Sequence, residues 1–128
     1  MTTRKLQPHE VARNYKQVEI AGLGKTDLLV SIYETIITQY RRALAAIENK
    51  NIEVRNESVT NALNLVGELR ESLDFHKAPE LSVNLERFYL EATQTTLKAH
   101  RRADPKLFEQ LEGEVSSVLK VFKKALEP

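Results

Sequence analysis

The stretch Tyr15–Ile47, YKQVEIAGLGKTDLLVSIYETIITQYRRALAAI, decides how this chain folds. From Leu28 onward, Leu29, Ile32, Tyr33, Ile36, Ile37, Tyr40, Leu44 and Ile47 recur at three- and four-residue steps, which sets them along one face of a long helix. Before Leu28 the pattern changes. Val11, Tyr15, Val18, Ile20 and Leu23 are apolar but loosely spaced, and Gly22 and Gly24 limit any long helix. The expectation is a short helix from about Pro8 to Lys16 and then an extended strap laid across the rest of the protein.

Working outward, Asn49-Lys50-Asn51 interrupts the first stripe, and a second follows through Val59, Ala62, Leu63, Val66, Leu69 and Leu73, ending near Asp74. Phe75 to Pro79 reads as a turn, because proline cannot continue a preceding helix but suits the first turn of the next. A third helix carries Leu81, Leu85, Phe88, Ala92 and Ala99. Asp104-Pro105 marks another restart, with the carboxylate able to cap free amides and proline sacrificing no intrahelical bond. The fourth stripe is Leu107, Leu111, Val115, Val118, Phe122 and Leu126. Four stripes with short breaks predict an all-α fold, an antiparallel up-down four-helix bundle with the N-terminal helix and strap packed on it. The expected organisation is a single domain over residues 1–128, with a strap over 1–24 and the bundle over 25–128.

Composition narrows the function classes. At 128 residues the chain suits one domain that buries roughly two-thirds of its unfolded surface. The 19 basic and 18 acidic residues nearly cancel, so no long-range field directs it to nucleic acid or anionic membrane. No apolar run approaches the ~18 residues of a membrane span. Zero cysteines remove disulfides and thiolate chemistry together, and MTTRKLQPHE lacks the apolar core of a signal peptide, so a cytoplasmic address is expected.

The chemical motifs fail one by one. Gly24-Lys25-Thr26 resembles the end of a phosphate loop, but Glu19 stands where the first glycine is required, and Thr26 or Asp27 is better read as a helix cap. His9-Glu10 begins a helical zinc-protease pattern, yet Arg13 occupies the second histidine's position. His76 and His100 lack a glutamate three residues earlier, so all three histidines read as solvated, and no metal or other cofactor is expected. Lys98, His100, Arg101, Arg102 and Lys106 form a basic knot without interleaved aromatics, better suited to offsetting a helix dipole than to binding nucleic acid. With no nucleophile elbow and no distinctive acid pair, an enzyme is not expected. Gly67 and Gly113, inside helices two and four, suggest close helix approach or, alternatively, a notch for a partner.

Several segments in order resemble the flagellar secretion chaperone family, FliS. Ala12 to Val18 is similar to its leader tyrosine motif, Asp27 to Ile37 to its first-helix signature, and Ala43 to Asn51 to its Ala-Ile-Glu turn. Glu68 to Asp74 and Ser82 to Tyr89 resemble the end of its second helix and its Asn-Leu…Tyr signature. The resemblance implies a cytoplasmic export chaperone that binds the disordered C-terminal segment of flagellin and presents it to the export apparatus, with no catalytic role. The alternatives are a generic helical adaptor, or a paralogue serving another flagellar subunit. Protein-binding residues are expected at Leu29, Tyr33, Leu85 and Tyr89, with Val11, Tyr15, Val18 and Ile20 of the leader as an internal mimic of the client. Exposed grooves of this kind would also allow two copies to pair as a homodimer.

Overall fold

The computed structural model describes residues 26–125. They form α1 (Thr26–Glu48), α2 (Ile52–Glu71), α3 (Pro79–Arg102) and α4 (Pro105–Ala125), with no strand among the described residues. Each helix packs against its chain neighbours, and α4 closes the ring against α1. Paired residues give the directions. Arg42 meets Glu57 and Gln39 meets Asn61 between α1 and α2, while Glu34 meets Lys123 and Arg41 meets Glu112 between α1 and α4. Both sets run in opposite chain directions, so the bundle is up-down-up-down as the stripes predicted. The expected leader helix and strap lie outside the described residues.

The ends of the helices follow local chemistry. α1 and α3 close in the same way. Lys50 (φ 54) and Ala103 (φ 49) take the left-handed conformation, and paired amides reach back to Ala46 and Ile47 in one case and to Ala99 and His100 in the other. The Asn51 side chain then accepts from the Val54 amide at 3.1 Å to start α2, and Asp104 Oδ1 accepts from the Lys106 amide at 3.0 Å to start α4. These two tight links lie at one end of the bundle. The other end holds the longer link from Ser72 to Ala78.

There α2 stops at Glu71 rather than near Asp74. Ser72 Oγ donates to the Leu69 carbonyl at 2.7 Å, and Asp74 Oδ1 accepts from the amides of His76 and Lys77 at 2.9 and 3.0 Å, which draws the chain into a turn. Those amides, that of Lys77 foremost, hold the Asp74 carboxyl below its ordinary pKa. Pro79 opens α3, as its fixed φ favours.

The core contains Ile36, Ile37, Val59, Val66, Leu81, Leu85, Phe108, Leu111, Val115 and Phe122. Ala43, Ala62 and Ala99 are fully buried, and these small side chains bring the helices together. The expectation of close approach at the glycines is not met: a Cβ added at Gly67 or Gly113 would meet nothing within 4 Å.

A polar ladder crosses this core. Tyr33 and Tyr40, one heptad apart on α1, reach diagonally to Tyr89 and Thr96, one heptad apart on α3. The hydroxyl separations are 2.8 and 2.9 Å. Thr96 in turn donates to the Ala92 carbonyl at 2.6 Å, which leaves Tyr40 to donate to Thr96. Phe122 packs edge-on against Tyr33, with ring centroids 5.2 Å apart. Burial pushes all three tyrosine pKa values up, that of Tyr40 to about 12.

Tyr33→Phe and Tyr89→Phe each leave one hydroxyl buried without its partner and are expected to destabilise by about 1–3 kcal/mol, whereas the double variant loses less than their sum. Denaturant unfolding of the four proteins checks the cycle. A tyrosine whose folded pKa is raised contributes stability fully present below about pH 10 and lost above it. Unfolding and tyrosinate absorbance should therefore rise together in strong alkali. Gly67→Ala and Gly113→Ala are each expected to stabilise by about 0.5–1 kcal/mol, since the helix gains propensity and the methyl has room. Thermal melts test this.

Candidate partner-binding surface

Two grooves run between the helices. The first lies between α3 and α4, lined by Phe88, Glu91, Ala92 and Thr95 on one side and by Gln110, Leu111, Glu114 and Val115 on the other. On α3 these residues follow the i, i+3, i+4, i+7 pattern of one face, and on α4 they form two adjacent i, i+4 pairs. Ala92, Leu111 and Val115 are buried and make an apolar floor, with the small Ala92 giving depth. Phe88 is half-buried, and the rim is polar, with Gln110 donating to Glu114 Oε1 at 2.9 Å. A second groove, between α1 and α4, has Ile37 and Leu119 on its floor. The Lys123–Glu34 ion pair at 3.5 Å spans it, and Arg41 bonds Glu112 nearby. Of the two, the α3–α4 groove is the smaller and more enclosed, and its floor is apolar.

The residues expected to bind protein are placed as follows. Leu29 is half-buried against the core. Tyr33, Leu85 and Tyr89 lie inside it, at 1, 6 and 3% exposure, and the Tyr33 and Tyr89 hydroxyls are bonded to each other. The fold thus brings Tyr33 and Tyr89 together as a packed layer beneath the surface. Val11, Tyr15, Val18 and Ile20 lie outside the described residues. Phe88, Leu111 and Val115, which line the first groove, carry the same helical period as the core, so periodicity alone reads them as interior.

The expectation that the histidines are solvated holds only in part at His100, which is half-buried. Its Nδ1, together with Arg55 Nε and Ser58 Oγ, is buried without a hydrogen-bond partner among the described residues. Burial first, and then the Arg55 charge, lower the His100 pKa. His76 is exposed, as expected. His100, Arg101 and Arg102 form the last turn of α3, where cations offset the dipole. Thr26 of the Gly24-Lys25-Thr26 element is the first residue of α1, and no helix among the described residues is long and apolar enough to cross a membrane.

These features define the class: an antiparallel four-helix bundle whose surface chemistry lies in grooves between helices. The family described as "Flagellar protein FliS" matches residues 8–127. The chain belongs to the FliS family. It is similar to the Flagellar secretion chaperone FliS of Bacillus subtilis (strain 168), with 26% identity over 113 residues that cover 88% of this chain and 84% of that protein. It is also similar to the Flagellar secretion chaperone FliS of Salmonella typhimurium, with 28% identity over 83 residues, 64% of this chain and 62% of that protein.

Because the folded His100 takes up a proton less readily than the unfolded chain, its stability contribution is full above about pH 6.5 and declines below it. Denaturant unfolding at pH 7.5 and 5.5 should therefore show a loss that His100→Gln reduces. Asp74, whose carboxyl is depressed, contributes stability above about pH 3.9 that is lost only as the pH falls further.

Proposed function

We propose that this protein is a cytoplasmic flagellar export chaperone that binds the disordered C-terminal segment of flagellin, prevents its premature polymerisation and hands it to the export apparatus. Membership of the FliS family carries this reading. The shared name of the Bacillus and Salmonella relatives supports the chaperone role, and no catalytic step is needed for it.

The physical basis is a helix-in-groove docking mode. An amphipathic client turn lays apolar side chains on the Ala92, Leu111 and Val115 floor beside Phe88, while Glu91, Gln110 and Glu114 face its polar side. Leu29, Tyr33, Leu85 and Tyr89 act from below as the layer that fixes the relative placement of α1 and α3. Ordering a disordered client lowers affinity for a given buried area, which suits a partner that must later be released. In the free protein the leader residues Val11, Tyr15, Val18 and Ile20 act as an internal mimic that the client displaces.

Titration of a C-terminal flagellin peptide into the full chain, by calorimetry, is expected to give saturable 1:1 binding with a gain in peptide helicity. Absence of binding overturns the client assignment. Deleting residues 1–23 should tighten binding several-fold, and an unchanged affinity with the bundle still folded rules out competition by the leader.

A further inference from the structure

Three polar side chains at the tight-linked end of the bundle serve neither the groove nor the hydroxyl ladder. Arg55 and Ser58 stand one turn apart on α2, at i and i+3, and His100 meets them from the last turn of α3. The antiparallel pairing of these helices sets the register. Arg70 meets Glu86 toward the far end, and about four turns back along α2 and on along α3 lie Arg55 and His100. The two are close enough for the Arg55 charge to act on the imidazole.

Arg55 Nε, Ser58 Oγ and His100 Nδ1 are each buried, and none has a hydrogen-bond partner among the described residues. Ser58 is 0% exposed while Arg55 and His100 are half-buried, so the hydroxyl lies deepest and the two nitrogen-bearing side chains stand between it and the surface. Buried polar atoms in folded proteins are paired as a rule, and three orphans on one seam mark a place where an acceptor belongs. The other arginines that bridge helices have theirs: Arg41 meets Glu112, Arg42 meets Glu57 and Arg70 meets Glu86. Arg55 meets no carboxylate among the described residues, and Asp104, the acid that follows α3, is already engaged by the amides of Lys106 and Leu107.

We propose that Arg55, Ser58 and His100 form a binding site for one phosphate-class oxyanion, inorganic phosphate or a phosphomonoester, at the α2–α3 seam. Each of the three atoms can donate: the guanidinium Nε–H always, the serine hydroxyl by rotation, and the imidazole Nδ1 in the tautomer that carries its proton there. An oxyanion only accepts, so one group answers all three, and the guanidinium adds charge to the bond. Donors arriving from two helices suit a tetrahedral group better than a planar carboxylate. The N-terminus of α2, one turn from Arg55, adds positive potential, while Arg101 and Arg102 offset the negative end of α3. The backbone on both sides is held, by the Asn51 cap and the Ala103 closure, so the ligand enters as the long Arg55 side chain turns aside. The site lies round α3 from the groove walled by Phe88, Glu91 and Thr95, and a ligand here leaves that groove free.

Titration of the full chain with inorganic phosphate at pH 7.5 and constant ionic strength, followed by imidazole proton resonances, is expected to shift His100 saturably in the millimolar range while the exposed His76 stays in place. The His100→Gln spectrum assigns the signal. Bound phosphate should also raise the pH at which His100 titrates, because an anion at Nδ1 favours the imidazolium. Arg55→Gln should weaken binding about tenfold or more, and Ser58→Ala about threefold. Ser58→Ala removes a hydroxyl that has no partner, so the variant should fold at least as stably as wild type and its loss of affinity reports the site alone. Arg101→Gln, beside the trio but outside it, should leave the affinity within about twofold. Absence of a saturable shift at His100 overturns the proposal. So does an equal affinity for acetate, which would mark a carboxylate site, or a phosphate affinity indifferent to Ser58→Ala and Arg55→Gln.

Discussion

The diagonal contact between α1 and α3 is the constraint from which the rest of the bundle takes its shape. Apolar side chains alone permit helices to slide or rotate past one another with little change in buried area. A hydroxyl held at 2.8 Å from another in a dry interior does not, because a shift of half a turn strands both groups without water. Two such contacts one heptad apart fix both translation and rotation. With α1 and α3 set across the diagonal, α2 and α4 have only the flanking positions to fill.

Much of this arrangement was legible in the sequence, and the limits have physical causes. The four stripes and the restarts at Pro79 and Asp104-Pro105 were readable because period and capping are local properties. The hydroxyl pairing was not, since Tyr33 and Tyr89 are 56 residues apart and only the assembled core shows that each is the other's partner. For the same reason the partial burial of His100, with its Nδ1 shielded near Arg55, has no signature in the basic helix end to which it belongs. Low helix propensity at the glycines does not report crowding here, because alanines supply the close contacts and the glycines face open space. Phe88, Leu111 and Val115 share the core's period, so their second role at the groove had no separate signature.

α3 is the element on which several roles converge. One side of it completes the hydroxyl ladder, a second forms a wall of the α3–α4 groove, and a third brings His100 to Arg55 on α2. A helix can serve several faces only if its register is held firmly, and the bonds from Tyr89 and Thr96 to α1 do that. Export-chaperone chemistry of this kind depends on surface shape and spacing rather than on reactive groups, which matches a chain whose least ordinary side chains are buried neutral tyrosines.

The two tight links, through Lys50 and through Ala103, lie at the same end of the bundle and have a geometric consequence for the groove. α3 and α4 are pinned together at the Ala103–Asp104 end, close to Thr95 and Gln110, while their far ends share no such short connection. The groove is therefore closed like a hinge at one extremity and free to widen toward Phe88 at the other. Its two ends are mechanically inequivalent, so the groove has a direction of its own, set by the connectivity of the helices that wall it.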